Sequence, residues 1–184
     1  MTIAAIIDYK TYVKKPSLKY IDSGIGLQLP TYMYLSEYSF KNIRFAGFYL
    51  QNITLDNKSE EEKEKSLKLI GFTNADKNIL KEFDNNYMDS SVIDGIKIKN
   101  DGSFTSNSLK HMLNDNEINE IINITKDKIN DTINSVLESK FDINPKYDKV
   151  NLGCEFCKYK DLCFMKEYDF VNIKASNKFD EGVE

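Results

Sequence analysis

Thr2-Ile-Ala-Ala-Ile-Ile-Asp-Tyr-Lys10 is the stretch on which the fold turns. Its isoleucine-rich start is too short for a buried helix, and it reads as a strand inside a sheet. The polar end of that strand is where chemistry would sit. Asp8 and Lys10 are two apart, so their side chains leave the same face. A carboxylate beside an ammonium can hold a divalent metal, activate water and balance phosphoryl charge. The backbone carbonyl of Tyr9, between them, offers a further oxygen to a hard ion such as Mg2+. The same pair at an ordinary strand end would be a surface ion pair of little consequence. The strand begins at residue 2, which leads us to expect a chain that starts in mid-domain.

Downstream, Gly24 to Phe40 reads as a helix, with Leu27, Tyr34, Leu35 and Tyr38 at spacings that can share an apolar face and Pro30 in its first turns. Gln28 and Tyr32 are four apart and stack on one side of it. Ile43 to Leu55 is a second long strand. Asn57 to Ser66 is a charged connector, and Ala75 to Phe83 a short helix. Val92 to Phe104 suggests a hairpin that turns at Asn100-Asp101-Gly102. Asn116 to Lys140 carries a helical stripe of Ile118, Ile121, Ile122, Ile129, Ile133, Val136 and Leu137, with Asp115 or Asn116 as its cap and Pro145 as its limit. The lone His111 is given a structural or surface role. The tail after Ile173 is polar and expected to fray.

Charge bounds the function. The chain has 184 residues, 25 basic against 29 acidic, and a net charge of -4. Arg44 is the single arginine. A free-standing duplex-DNA binder usually shows a basic stripe, and none is visible. No apolar run approaches the roughly 20 residues of a membrane span, and the N-terminus has no signal-peptide pattern. A cytoplasmic protein without a membrane partner is the expectation.

All three cysteines fall in Gly153-Cys-Glu-Phe-Cys-Lys-Tyr-Lys-Asp-Leu-Cys163. In a cytoplasmic chain this C-x2-C-x5-C array favours a metal or cluster over a disulfide. Zinc and iron-sulfur centres want four ligands, and Cys154, Cys157 and Cys163 supply three.

These motifs carry a resemblance. Ile6-Ile-Asp-Tyr-Lys10 resembles the strand of PD-(D/E)xK nucleases that holds the second acidic ligand and the lysine. Gly26-Leu-Gln-Leu-Pro-Thr-Tyr-Met-Tyr-Leu35 resembles the Gln-x-x-x-Tyr helix of the RecB-like subgroup, and Ala46-Gly-Phe-Tyr-Leu50 the strand after it. Gly71-Phe72 and the region after it look like the loop of AddB-type subunits. The likeness is sharp over residues 3 to 55 and 150 to 166 and one of layout between them.

The resemblance implies an α/β fold: a partial restriction-endonuclease-like core over 1–55, a stretch completing it over 56–149 with a helical C-terminal extension, a cysteine-rich closing segment over 150–166 and a tail over 167–184. It implies phosphodiester hydrolysis that releases a DNA 3'-oxygen. Asp8 would bind Mg2+ or Mn2+, Lys10 would position the water, and Gln28 and Tyr32 would place the DNA strand or the lysine. It implies a [4Fe-4S] cluster on Cys154, Cys157 and Cys163 with a fourth cysteine upstream. The family's first acidic ligand also lies upstream, in a Gly-x-x-Asp context, so the expected chain carries half of the metal site. DNA and a helicase-nuclease partner subunit acting on double-strand breaks are the implied partners. Two rivals stand beside this reading: a self-standing CRISPR-type nuclease, and a non-catalytic cysteine-stapled module that binds DNA or protein.

Overall fold

A computed structural model describes residues 1–12, 14–54, 59–154, 157–176 and 178–179. Leu55, Asn57 and Lys58, at the edges of the second strand and the charged connector, lie outside the described residues, as does Phe156 between the cysteines.

The main sheet has four strands in the order β1-β2-β3-β4. They are β1 (Thr2–Lys10), β2 (Ile43–Asn52), β3 (Ile70–Asn74) and β4 (Met112–Leu113). β1 and β2 are parallel, β2 and β3 antiparallel, β3 and β4 parallel. β1 is therefore an edge strand among the described residues. Its even residues face the helix α1 (Gln28–Ser39), and Ile6 packs into the same core as Met33 of that helix.

The β1–β2 register slips by one between Ala4 and Ala5: Phe45 faces Ala4, but Gly47 faces Ala5, leaving Ala46 as the extra residue. A bulge of this kind reverses which face later side chains take. That is why Phe45 and Phe48 enter one core while Tyr49 enters the other. Gly47 is required here, because a Cβ would meet the Tyr49 hydroxyl at 2.2 Å. That hydroxyl lies 3.2 Å from the Ala46 carbonyl and 3.1 Å from Thr73 Oγ1, so the phenol satisfies the bulge. Burial pushes the Tyr49 phenol well above its ordinary range.

Several sequence expectations shift. The first helix starts at Gln28 and not at Gly24, since Gly24 and Gly26 take φ of 81° and 83° and a 3-10 turn occupies Ile21–Ser23. Its buried face is Leu29, Pro30 and Met33, with Leu27 and Tyr34 partly covered; Leu35 and Tyr38 point to solvent. The connector contains α2 (Glu60–Ser66), closed by a capping box of Ser59 and Glu62. The short helix α3 spans Lys77–Phe83. The hairpin over Val92 to Phe104 is absent as strands. Isolated bridges remain, including Asp89 to Lys97 and Ile98 to Phe104. The turn survives, with Gly102 at φ 82° donating its amide to the Lys99 carbonyl at 2.9 Å. Beside it, the buried Ser108 of α4 (Ser106–Leu109) accepts the Lys97 amide at 2.9 Å, replacing a ladder bond with a side chain.

The long helix α5 (Asp115–Leu137) is capped by Asn114, in a box with Glu117, and not by Asp115 or Asn116. Asp115 is instead held by Arg44. The stripe divides: Ile118, Ile121 and Ile122 sit in the core against α1, whereas Ile133, Val136 and Leu137 are exposed. The first half of this helix is thus part of the core and not an extension.

A second sheet, ordered β6-β5-β7, joins β5 (Lys146–Asp148), β6 (Val150–Asn151) and β7 (Val171–Asn172) around the cysteine segment and its short helix α6 (Lys160–Cys163). The described part of the tail packs where fraying was expected: Ser176 is buried and donates its amide to the Lys19 carbonyl at 2.7 Å, and Phe179 enters the main core. The apolar ring decides this despite its polar neighbours.

Candidate active site

Asp8 and Lys10 emerge at the C-terminal end of β1 on the side of α1, and the register sets them opposite Leu50 and Asn52 of β2. Lys10 Nζ stands 2.9 Å from Asp8 Oδ2. It donates to Gln28 Oε1 at 3.1 Å, and Gln28 Nε2 donates to the Tyr32 hydroxyl at 3.1 Å. The four side chains form one continuous file from strand to helix. The helix can present Gln28 there because the chain reverses at Gly26, whose absent Cβ would lie 2.7 Å from the Ser17 carbonyl.

The file is polar but incomplete. Asp8 Oδ2 is buried and has no well-aligned hydrogen bond; the lysine is near enough for an ion pair but badly angled. A buried carboxylate oxygen of this kind wants a cation or water. One carboxylate does not make a metal site, and among the described residues no group of three or more His, Cys, Asp or Glu side chains lies close enough to hold a metal ion. The donors fit one part of a hard-metal site, with Asp8 as ligand. The Tyr9 carbonyl suits a second position: the Lys10 carbonyl is taken by the Ile53 amide at 2.9 Å, and successive carbonyls of a strand point to opposite edges, so that of Tyr9 faces the open edge of β1.

The charge of Arg44 is paired with two carboxylates. Its guanidinium lies 3.0 Å from Asp76 and 2.5 Å from Asp115, and the buried Asn74 amide donates to Asp115 at 2.8 Å and to the Phe45 carbonyl at 2.9 Å. This latch ties β2, α3 and α5 together. The amide of Asn78 and then the guanidinium hold the Asp76 carboxyl below its usual range. His111 is buried just before β4, edge-on to Phe72, with Nε2 2.9 Å from Lys15 Nζ. Burial, then the Lys15 charge, lowers its pKa.

The cysteine sulfurs are not gathered. Cys154 Sγ lies 3.7 Å from Met165 Sδ, Cys157 is exposed, Cys163 is half-buried, and none is in a disulfide. The segment is nevertheless tied to the site's own loop. Tyr20 donates to Asp148 of β5 at 2.6 Å, and this bond to the carboxylate raises the phenol's pKa. Sequence reasoning missed both that tie and the latch, since neither is local in the chain.

A model of the PD-(D/E)XK nuclease superfamily matches residues 3–164. The chain belongs to this superfamily. Its mixed α/β sheet fits the superfamily's fold. The chain is also 28% identical, over 91% of its length, to an ATP-dependent helicase/deoxyribonuclease subunit of Carboxydothermus hydrogenoformans, of which it covers 16%. It is 29% identical over 96% of its length to the protein of the same name in Clostridium tetani, covering 17% of it, and 26% identical over 89% to that of Clostridium kluyveri, covering 15%. The chain thus spans about a sixth of the length of these curated relatives. No helix among the described residues is long and apolar enough to cross a membrane.

Proposed function

We propose that this chain is the nuclease portion of a helicase-nuclease subunit and takes part in hydrolysis of DNA phosphodiesters during double-strand break repair and recombination. The observation that carries the reading is the file Asp8–Lys10–Gln28–Tyr32, in which a lysine is fixed between a metal-type carboxylate and an amide. Asp8 and the Tyr9 carbonyl would hold Mg2+ or Mn2+. When bound, such an ion polarises the phosphoryl oxygen and lowers the pKa of a water molecule. Lys10 orients the attacking water and balances the charge that builds on the phosphoryl oxygens. Gln28, itself braced by Tyr32, accepts one lysine proton in a hydrogen bond and so fixes the ammonium's direction. The first acidic ligand would come from a strand pairing with the open edge of β1. A motor-type partner subunit would supply the DNA grip that a net charge of -4 does not.

The test is Mg2+-dependent cleavage of single-stranded DNA. The chain alone is expected to show no appreciable cutting. A protein of the relatives' length is expected to cut, and Asp8→Ala or Lys10→Ala in it should each lower the rate at least about a hundredfold. Robust cleavage by the 184-residue chain, lost in Asp8→Ala, refutes the half-site. Undiminished cleavage by both variants of the long protein refutes the assignment of the site.

A further inference from the structure

A small pocket of about 170 Å³ opens beside the candidate active site. Phe48 and Leu50 of β2 floor it, and Leu29 and Pro30 of α1 form one wall. Pro16 and Leu18, from the loop after β1, form the other. Ser17, Gly26 and Gln28 complete its lining. Leu50 is the residue paired with Asp8, and Gln28 is the one that holds Lys10. The pocket therefore shares a lining residue with the file and rests on the strand position next to its carboxylate.

We infer that this pocket is a subsite for one unstacked nucleobase of a single-stranded nucleic acid whose phosphate lies at Lys10. The inference rests on the nuclease reading and adds to it a holding place for one base of the strand. Its apolar walls would cover the flat faces of a ring. Its volume is below the roughly 300 Å³ of pockets for drug-sized ligands, which suits a single ring system. The Ser17 side chain, on the lining, offers a hydroxyl to a ring's edge, whereas the Gln28 amide is engaged by Lys10 and Tyr32. A base can enter only if both its faces are free, so a stacked duplex is excluded and a single strand admitted. The location also answers a question of charge. With Arg44 consumed by Asp76 and Asp115, a strand held here gains from base burial what it lacks in phosphate neutralisation.

The test uses the 184-residue chain, without divalent metal, and two probes. Thymidine 5'-monophosphate carries a base; 2-deoxyribose 5-phosphate does not. Backbone amide shifts are followed by nuclear magnetic resonance. Thymidine monophosphate is expected to move the amides of Ser17, Leu18, Gly26 and Leu29 and to bind at least about fivefold more tightly than the sugar phosphate, the lower end of what burying one base contributes. Ser17→Trp, on the exposed rim, should remove that advantage and leave the sugar phosphate unaffected. Equal affinity of the unsubstituted chain for the two probes overturns the subsite, as does a base advantage that survives in Ser17→Trp. The two readings separate cleanly. Shifts confined to Asp8 and Lys10 with both probes sink the subsite and leave the nuclease reading standing. Base-dependent shifts at Ser17 and Gly26, joined to unchanged cleavage by Asp8→Ala in the long protein, keep the subsite and sink the nuclease.

Discussion

Lys10 carries three N–H donors, gives one to Gln28 Oε1 and meets Asp8 Oδ2 as an ion pair. That leaves a donor for water or phosphate, the minimum an electrostatic role requires. The pairs Asp8–Lys10 and Gln28–Tyr32 were legible from spacing, because residues two apart on a strand and four apart on a helix share a side; that the second pair meets the first was implied only by the resemblance. His111 was not legible. Nothing in Lys110-His111-Met112 marks it as buried, and its partner Lys15 lies 96 residues away. The Lys15 ammonium is a donor to Nε2, which places the ring's own proton on Nδ1, a buried atom with no hydrogen-bond partner. Protonating the ring destroys the acceptor and sets two cations side by side. Asp94 offsets this, whereas Lys110 adds to it. The folded-state pKa is therefore below the unfolded value of about 6.5. A depressed histidine pKa means that the unfolded chain binds more protons as pH falls, so this contribution to stability is full above pH of about 6.5 and declines below it. We expect the unfolding free energy of the protein to fall more steeply with acid than that of His111→Gln, by at most about 1.4 kcal/mol per pH unit. Parallel pH profiles in denaturant melts would contradict the burial argument.

Elements were read well where one periodicity prevailed and poorly where a side chain replaced backbone pairing. β1 matched its reading in extent, because the apolar run ends at the strand's own end, but not in place: it lies at the edge of the sheet among the described residues, with none of its residues fully buried. The Val92 to Phe104 hairpin failed because Ser108 takes bonds that a ladder would otherwise supply. α5 is the most instructive case, since the stripe is continuous but the core is not. Periodicity reports which side of a helix is apolar; it does not report how far the neighbouring helix extends. α1 is 12 residues long and α5 is 23, so α1 can cover only one end. The consequence is measurable. Ile121→Ala, at a fully buried position, should destabilise the fold by about 3 kcal/mol. Leu137→Ala, in the same stripe but 77% exposed, should change stability by less than about 0.5 kcal/mol. Equal effects in thermal or denaturant unfolding would mean that the second half of the stripe is covered in solution.

At the scale of the whole molecule, two sheets meet through the loop between β1 and α1. Tyr20 binds Asp148, Lys19 binds Ser176, and Leu18 and Ile21 enter the main core beside Phe179. The candidate site and the cysteine segment are therefore linked through the stretch that also walls the pocket. Among the described residues, β5 and β6 share two register pairs and β5 and β7 two more, and the sulfurs form no group that could hold a metal ion. Metal binding and folding are coupled in such segments, so a cluster would add ordering energy to this packing. Three thiolates leave one iron of a [4Fe-4S] cluster without a protein ligand, and an open iron is lost to oxidation. We expect this chain, purified in air, to contain far less than four irons per polypeptide and to show thiols that titrate with an alkylating reagent. A protein of the relatives' length should be brown and hold about four irons. In it, Cys157→Ser should bleach the colour, and through the Tyr20 to Asp148 tie it should also weaken binding of DNA ends. Iron and sulfide analysis of both proteins, with their visible spectra, decides the matter. Stoichiometric iron in the 184-residue chain would place a fourth ligand within it or in a second copy, and would overturn the proposal of an upstream cysteine.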